Sequence, residues 1–359
     1  GLGGTASRLA KRRRARAPTT SRRRATCRSA RAKASRGTPI DAARRADALA
    51  PRRRAPSAAE ALRRSQHCVS PMAALLDELP TWTDPPLHRR GLWSSKDAEY
   101  HAALRAKYEN WRRSASGSAN VPRKLHQIWL GPKPPPDTHA AAWRALHPDW
   151  EYKLWRDADV AALGLENAAA FSAATNWGEA SDIARYEILL RFGGVYADMD
   201  FEPLRPLDAL REAADFFVGF SNVGAVEINN GLIGAAPGHA LLAALVERVA
   251  AARVQRPKPP PTDLLAAIAA SGFLDDAGPL AKTLSQADAD WTIEHTGPGL
   301  ITRTFCELHG PMPRAVCLPY EIFYAKSNAA PAASDASPFS YAVHHWASHW
   351  AKSWQECPR

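Results

Sequence analysis

The sequence predicts an α/β protein whose central sheet has crossover-connected strands, with a basic tail in front of it. Three observations carry that expectation. Between Arg123 and Asp157 a strand, a helix and a second strand follow in succession, the order that brings strands together in parallel through crossovers. Between Glu179 and Ala197 a helix runs into Gly193-Gly194 and straight on into an apolar strand, a stop where a left-handed residue is cheap. Residues 1–68 hold 20 of the 47 Lys+Arg and 3 of the 36 Asp+Glu, a net of +17, leaving 27 basic against 33 acidic residues, a net of −6, for the rest of the 359. The isoelectric point near 9.6 therefore belongs to the tail and says nothing about the folded part.

Residues 1–70 are Arg-, Ala-, Ser- and Pro-rich, with triple arginines starting at Arg12, Arg22 and Arg52. So few large apolar side chains cannot offset ordering entropy, and the tail is expected to be disordered. A polyanion or anionic-membrane patch and an organelle transit segment are its functional readings, a plain solvated tail the bland one. The first aromatic residue is Trp82, so the tail lacks the stacking platform of single-strand binders. Residues 71–120 form a helical lead-in, with Ser95 to Trp111 its better helix. Residues 121–356 form the main domain, and 45% hydrophobic content is ample for its core.

Within that domain, RKLHQIWLG from Arg123 is a first strand, cut off by GPKPPP. Trp143 to Asp157 carries a helix and a strand at Tyr152 to Trp155, and Asp157 to Leu163 reads as a capped helix. Strands are expected at Phe216 to Phe220, Ile228 to Gly234 and Ala315 to Leu318. Helices are expected at Ala240 to Val254, Asp263 to Ala270 and Leu280 to Leu284, and a turn at Thr296 to Gly299. The chain closes in YAVHHWASHWAKSW, dense in His and Trp.

The chemistry is expected in NWGEASDIARYEILLRFGGVYADMDFEPLRPL, Asn176 to Leu207. Ile183, Tyr186, Leu189 and Leu190 give a helix from Glu179 to Phe192 one buried stripe, with Ser181 and Asp182 in its first turn. Val195 to Ala197 is a short strand, and Asp198 and Asp200 follow at its carboxyl end. Alternation along an extended chain would put both carboxylates on one face, and Pro203 and Pro206 would stop the ladder. Two converging carboxylates suit a hard divalent cation that completes its shell with phosphate oxygens. A strand-end position agrees with ligand binding beyond the carboxyl ends of open α/β sheets.

Asp182 and Arg185, three apart, share a helix face. They are either an ordinary ion pair or a pair aimed into the cleft, Asp182 for sugar hydroxyls and Arg185 for phosphate. One imidazole of His344, His345 or His349 could complete the cation's shell, with Trp346 packing on a base or sugar ring. Asn229 and Asn230 are either turn residues or donors to the hydroxyls of a transferred sugar.

The succession RKLHQIWLG, HPDWEYKLW, ASDIARYEILLRFGGVYADMD, INNGLIGAAPGH, TGPG and YAVHHW resembles glycosyltransferase family 32. That group has a DXD sugar-binding region and includes initiating α-1,6-mannosyltransferases, inositolphosphoceramide mannosyltransferases and relatives of the α-1,4-galactosyltransferases. The resemblance runs from Val121 to Trp354. It implies a GT-A-like fold with a single Rossmann-type mixed sheet flanked by helices, Mn²⁺ (or Mg²⁺) as cofactor, and transfer of a hexose with retention. Mannose or galactose is implied, from GDP-mannose or UDP-galactose or -glucose, to a glycan or glycolipid. Carried over by motif, Asp182 and Arg185 match the donor-contacting SDxxR pair, Tyr196 the aromatic beside the nucleotide, and Asp198 and Asp200 the metal motif and catalytic centre. His344 resembles the late metal-associated His of an H-x-W-x-x-S-W ending, in which this chain has His349 at the Ser position. Asn230 and Trp346 join the donor set. The family usually works in the Golgi lumen on a membrane anchor, and no specific nucleic acid partner is implied.

Two other classes fit parts of the pattern. A haloacid-dehalogenase-like phosphohydrolase also uses a strand-end DxD, but continues with Thr or Val where Phe201 stands. A non-catalytic binding module would use only the tail. Among Cys27, Cys68, Cys306, Cys317 and Cys357 no CxxC pair occurs, and Cys306 and Cys317 are either bridged or buried thiols. No apolar run reaches the ~18 residues of a membrane span. The chain starts at Gly1 rather than Met, which leaves room for an upstream anchor or signal.

Overall fold

The structure is a computed structural model that describes residues 79, 81, 94–114, 120–255, 278–310, 312, 314–326 and 336–347, with backbone only at 94, 114, 255 and 278–285. The basic tail, the helix expected at Asp263 to Ala270 and the end of the chain with His349 lie outside these residues.

A single turn at Ser94–Lys96 leads into α1 (Asp97–Ser114), where the sequence places its better lead-in helix. The domain follows as β1 (Lys124–Ile128), α2 (Ala140–Leu146), β2 (Glu151–Trp155), α3 (Asp157–Leu163), α4 (Ala168–Ser172), α5 (Trp177–Phe192), β3 (Gly194–Ala197) and β4 (Phe201–Pro203). Then come α6 (Asp208–Ala213), β5 (Phe216–Phe220), β6 (Ile228–Ala235), α7 (Ala240–Gln255), α8 (Gly278–His295), α9 (Pro298–Glu307), β7 (Ala315–Leu318), α10 (Tyr320–Phe323) and β8 (Ala342–His344).

Six strands form one mixed sheet in the order β2-β1-β3-β6-β5-β7, flanked by helices, and β4 pairs with β8 in a separate ribbon. β1 lies parallel to β2 and β3, as the crossover argument requires. β6 alone runs backwards, antiparallel to both β3 and β5, and β7 is parallel to β5. The carboxyl ends of five strands therefore share one edge with the amino end of β6. The core is aromatic and continuous: Trp143, Tyr186, Tyr196, Phe201, Phe216, Phe217, Phe220 and Tyr324 are all fully buried.

Three local expectations are corrected. α5 begins at Trp177 because the Asn176 side chain caps it, accepting from the Glu179 N–H at 2.8 Å. Ser181 and Asp182 thus stand in the second turn, beyond the reach of the helix-end charge. Pro203 does not precede the end of all pairing: β4 runs to it opposite Ala342, tolerable because the two-stranded ribbon leaves an edge that needs no donor. The expected turn at Thr296 to Gly299 is shorter, since Pro298 opens α9, where a missing N–H costs nothing. Cys306 and Cys317 are free thiols, on α9 and β7.

Candidate metal centre

The helix that ends at Gly193 sets up the site. Gly193 has φ +59°, and a Cβ there would lie 2.6 Å from the Pro237 ring. The backbone can therefore reverse tightly into β3 only with glycine, and β3 then delivers Asp198 to the sheet edge. The Asp198 N–H donates to the Gly231 carbonyl at 2.8 Å, and the Phe201 N–H returns to the Asp198 carbonyl at 3.2 Å. Asp198 and Asp200 are thus brought together by a turn, not by strand alternation.

β8 closes the site from the other side. Its ribbon with β4 sets His344 opposite Phe201, the two rings stacked at 4.6 Å and 13°. His344 Nε2 lies 3.2 Å from Asp200 Oδ1, while its Nδ1 is buried without a hydrogen-bond partner. The Asp200 Oδ2 accepts from the Ala347 N–H at 2.8 Å, and its carbonyl accepts from the His345 N–H at 3.1 Å. Asp198, Asp200 and His344 each offer a ligand atom within 4.8 Å of the others. Two carboxylates and an imidazole fit a divalent cation such as Mn²⁺ or Mg²⁺, with the carboxylates suiting the harder ion.

A second layer fixes the first. Tyr196 O–H donates to Asp198 Oδ1 at 2.6 Å, and Arg185 reaches the same oxygen at 3.4 Å with its guanidinium 4.4 Å over the Tyr196 ring. Arg185 also pairs with Asp182 at 3.0 Å and donates to the Asn230 carbonyl at 2.9 Å. The Asn230 amide donates to Asp182 Oδ1 at 2.8 Å and to the Tyr186 hydroxyl at 3.1 Å. Thr296 completes the set, donating to Asp182 Oδ2 at 3.1 Å and accepting from Tyr186 at 2.7 Å. From β1, Gln127 donates to the Asp198 carbonyl at 3.3 Å.

Electrostatics separate the two aspartates. Burial pushes the Asp198 carboxyl up, against the pull of Arg185. Burial acts the same way on Asp200, but the His344 ring and the Ala347 N–H outweigh it and hold the carboxyl at about 2. Asp182 is raised to about 6 by burial, with Arg185 opposing and Asp198 adding to the rise.

The sequence-derived residues therefore sort into two groups. Asp198, Asp200 and His344 converge at the sheet edge. Asp182, Arg185, Tyr196 and Asn230 form a buried network beneath them, so the SDxxR pair is an ion pair, but a core one rather than an exposed one. Asn230 lies on β6 and not in a turn. Trp346 packs on His344 at 4.3 Å, donates to the Lys326 carbonyl at 2.7 Å, and takes a left-handed φ of +53°, a strained backbone for a bulky side chain. His345 turns away, its Nε2 2.9 Å from Glu202 and its ring stacked on His139 at 5.1 Å. Gln127, Thr296 and Gly231 join the site although the sequence marks none of them beyond their place in RKLHQIWLG, TGPG and INNGLIG.

Residues 138–217 match the family described as a glycosyltransferase sugar-binding region containing a DXD motif. Inositol phosphoceramide mannosyltransferase 1 of Schizosaccharomyces pombe is 32% identical over 117 residues, 28% of this chain and 37% of that protein. Inositol phosphoceramide mannosyltransferase 3 of the same organism is 31% identical over 140 residues, 37% of this chain and 38% of that protein. The chain thus matches well under half the length of these relatives. Among solved structures, the PaToxG Glycosyltransferase is similar with a TM-score of 0.40 and 12% identity, covering 59% of this chain and 79% of that one.

Proposed function

Since residues 138–217 carry the DXD-containing sugar-binding region of glycosyltransferases, we propose that the protein moves a hexose from a nucleotide-sugar to a hydroxyl of a glycan or glycolipid with retention of configuration. Mannose from GDP-mannose is the leading donor, because the relatives are mannosyltransferases by name, with UDP-galactose or UDP-glucose next. The observation that carries this reading is the convergence of Asp198, Asp200 and His344.

These three residues would hold Mn²⁺ or Mg²⁺, and a cation so held supplies Lewis-acid stabilisation to a departing diphosphate. The remaining work falls to the chain itself. Tyr196 and Arg185 hold Asp198 by one oxygen, leaving the other free. His344, stacked on Phe201, holds Asp200 in line. Asp182, Arg185 and Asn230 keep the β6 backbone close behind Asp198, and Trp346 offers a ring at the rim for a sugar or base. The phosphohydrolase alternative is less well supported, because Phe201 stands where that motif continues with Thr or Val.

Among the described residues no helix is long and apolar enough to cross a membrane. A Golgi location is proposed on the resemblance alone. The test is a donor screen: the chain with Mn²⁺ and a panel of GDP- and UDP-sugars, followed for slow hydrolysis without acceptor. Turnover of one sugar nucleotide that stops with EDTA is expected, and phosphomonoester hydrolysis without sugar-nucleotide turnover would overturn the reading.

A further inference from the structure

Glu227 is a carboxyl that the metal centre and its network leave unused. It stands just before β6, where the β5–β6 hairpin closes with the Ser221 N–H donating to the Glu227 carbonyl at 2.7 Å. Since β6 runs against β3 and β5, this hairpin lies at the same sheet edge as Asp198. Residues two apart on a strand share a face. Asn229, two residues on, belongs to the Asp198 face: a Cβ built on Gly231 would lie 2.9 Å from Asn229 Oδ1 and 2.8 Å from Asp198 Oδ2. Glu227 therefore stands about 7 Å along the hairpin from Asn229, at roughly 3.4 Å per strand residue. Glu227 as a whole residue is intermediate in exposure, while Ile228 beside it is fully buried.

Other buried carboxyls are matched. Asp182 has Arg185; Glu187 has Arg191 and the N–H groups of Glu166 and Asn167; Glu321 has Thr81. Among the described residues Glu227 has no ion-pair partner, and the group beside it is the Ser221 hydroxyl, itself buried and without a well-formed hydrogen bond. Burial pushes its carboxyl up to about 7, with only the Ser221 hydroxyl opposing the rise. A carboxyl without a cation partner is costly in a core, and beside a binding site it marks a place where a ligand can supply the missing donors.

We propose that Glu227 is an acceptor-binding residue, its carboxyl taking hydrogen bonds from adjacent hydroxyls of a neutral polyol seated beside Asp198. The inference rests on the sugar-transfer reading of the site. Two carboxylate oxygens match two neighbouring hydroxyls, whereas an anionic group facing Glu227 would meet like charge.

Calorimetric titration of the full chain, loaded with Mn²⁺ and GDP, tests this with myo-inositol and methyl α-mannopyranoside as polyols and mannose 6-phosphate as the anionic comparison. The wild type is expected to bind one of the neutral polyols more tightly than the phosphate. Glu227→Ala is expected to bind that polyol at least tenfold more weakly, and in transfer assays to raise the acceptor KM at least tenfold with a much smaller change in kcat. Glu227→Gln, which keeps one acceptor oxygen and the side-chain shape, should fall between and carries the test if Ala does not fold. Unchanged polyol affinity in both variants would overturn the proposal, as would a loss confined to kcat. If the wild type turns over no sugar nucleotide, the transfer reading fails, while the polyol titrations still decide whether Glu227 binds hydroxyls.

Discussion

The Tyr196 hydroxyl donates to Asp198 Oδ1 across 2.6 Å, and Arg185 approaches the same oxygen while lying over the Tyr196 ring. One oxygen of the DXD carboxylate is thereby fixed by the core, and Oδ2 is left beside Gly231 at the cleft. Such outer contacts orient a ligand before any cation arrives, and their loss typically weakens metal binding 10–100-fold.

Tyr196→Phe removes that donor and nothing else. Mn²⁺ affinity, measured by titration in the presence of GDP, is expected to fall about tenfold. The fold should lose on the order of 1 kcal/mol by denaturant unfolding.

Arg185 neutralises Asp182 in a place where water cannot, both side chains being under a tenth exposed. Arg185→Leu would strand the Asp182 carboxylate, and breaking such a buried pair costs about 3–5 kcal/mol. A drop in Tm of roughly 10 °C is expected at pH 7.5. The double variant Arg185→Leu/Asp182→Leu should recover part of it, since the Asp182 charge is then gone as well.

Gly231→Ala places a methyl 2.8 Å from Asp198 Oδ2. Asp198 must then swing away or β6 must shift. Metal-dependent turnover is expected to fall at least tenfold with little change in far-ultraviolet circular dichroism, and retained turnover would show that Oδ2 has no required position.

Much of this arrangement is legible in the sequence because helix period, Gly-Gly and an apolar strand all agree between Asn176 and Ala197. The reasons for convergence were less legible. Asp198 and Asp200 meet through a turn that alternation does not describe, and His344 arrives through the pairing of β4 with β8, strands far apart in the chain that no local pattern brings together. α9 went unread because Pro-Gly signals a break, whereas Pro298 is the first residue of the helix. Asn230 looked like a turn residue or a sugar contact, and only the fold shows it bonded to Asp182 and Tyr186.

His126 links the sheet to pH. Its Nδ1 accepts from Trp155 Nε1 at 3.2 Å, so its Nε2 carries the proton given to the Gly193 carbonyl at 2.9 Å. Burial lowers it to about 4, the Gly193 contact opposing and Lys124 adding to the fall. The folded state thus binds fewer protons than the unfolded one between pH 6.5 and about 4. Stability from this group is present above pH 6.5 and is lost as pH falls toward 4, on the order of 3 kcal/mol. Tm should decline over that window, and less steeply in His126→Gln.

The most direct test of the proposed metal centre is Mn²⁺ binding followed by electron paramagnetic resonance on wild type, Asp200→Asn and His344→Ala, with GDP present and unfolding controls. One bound Mn²⁺ per chain in the wild type, weakened at least tenfold in both variants, is the expected result. Wild-type affinity in Asp200→Asn would contradict the account.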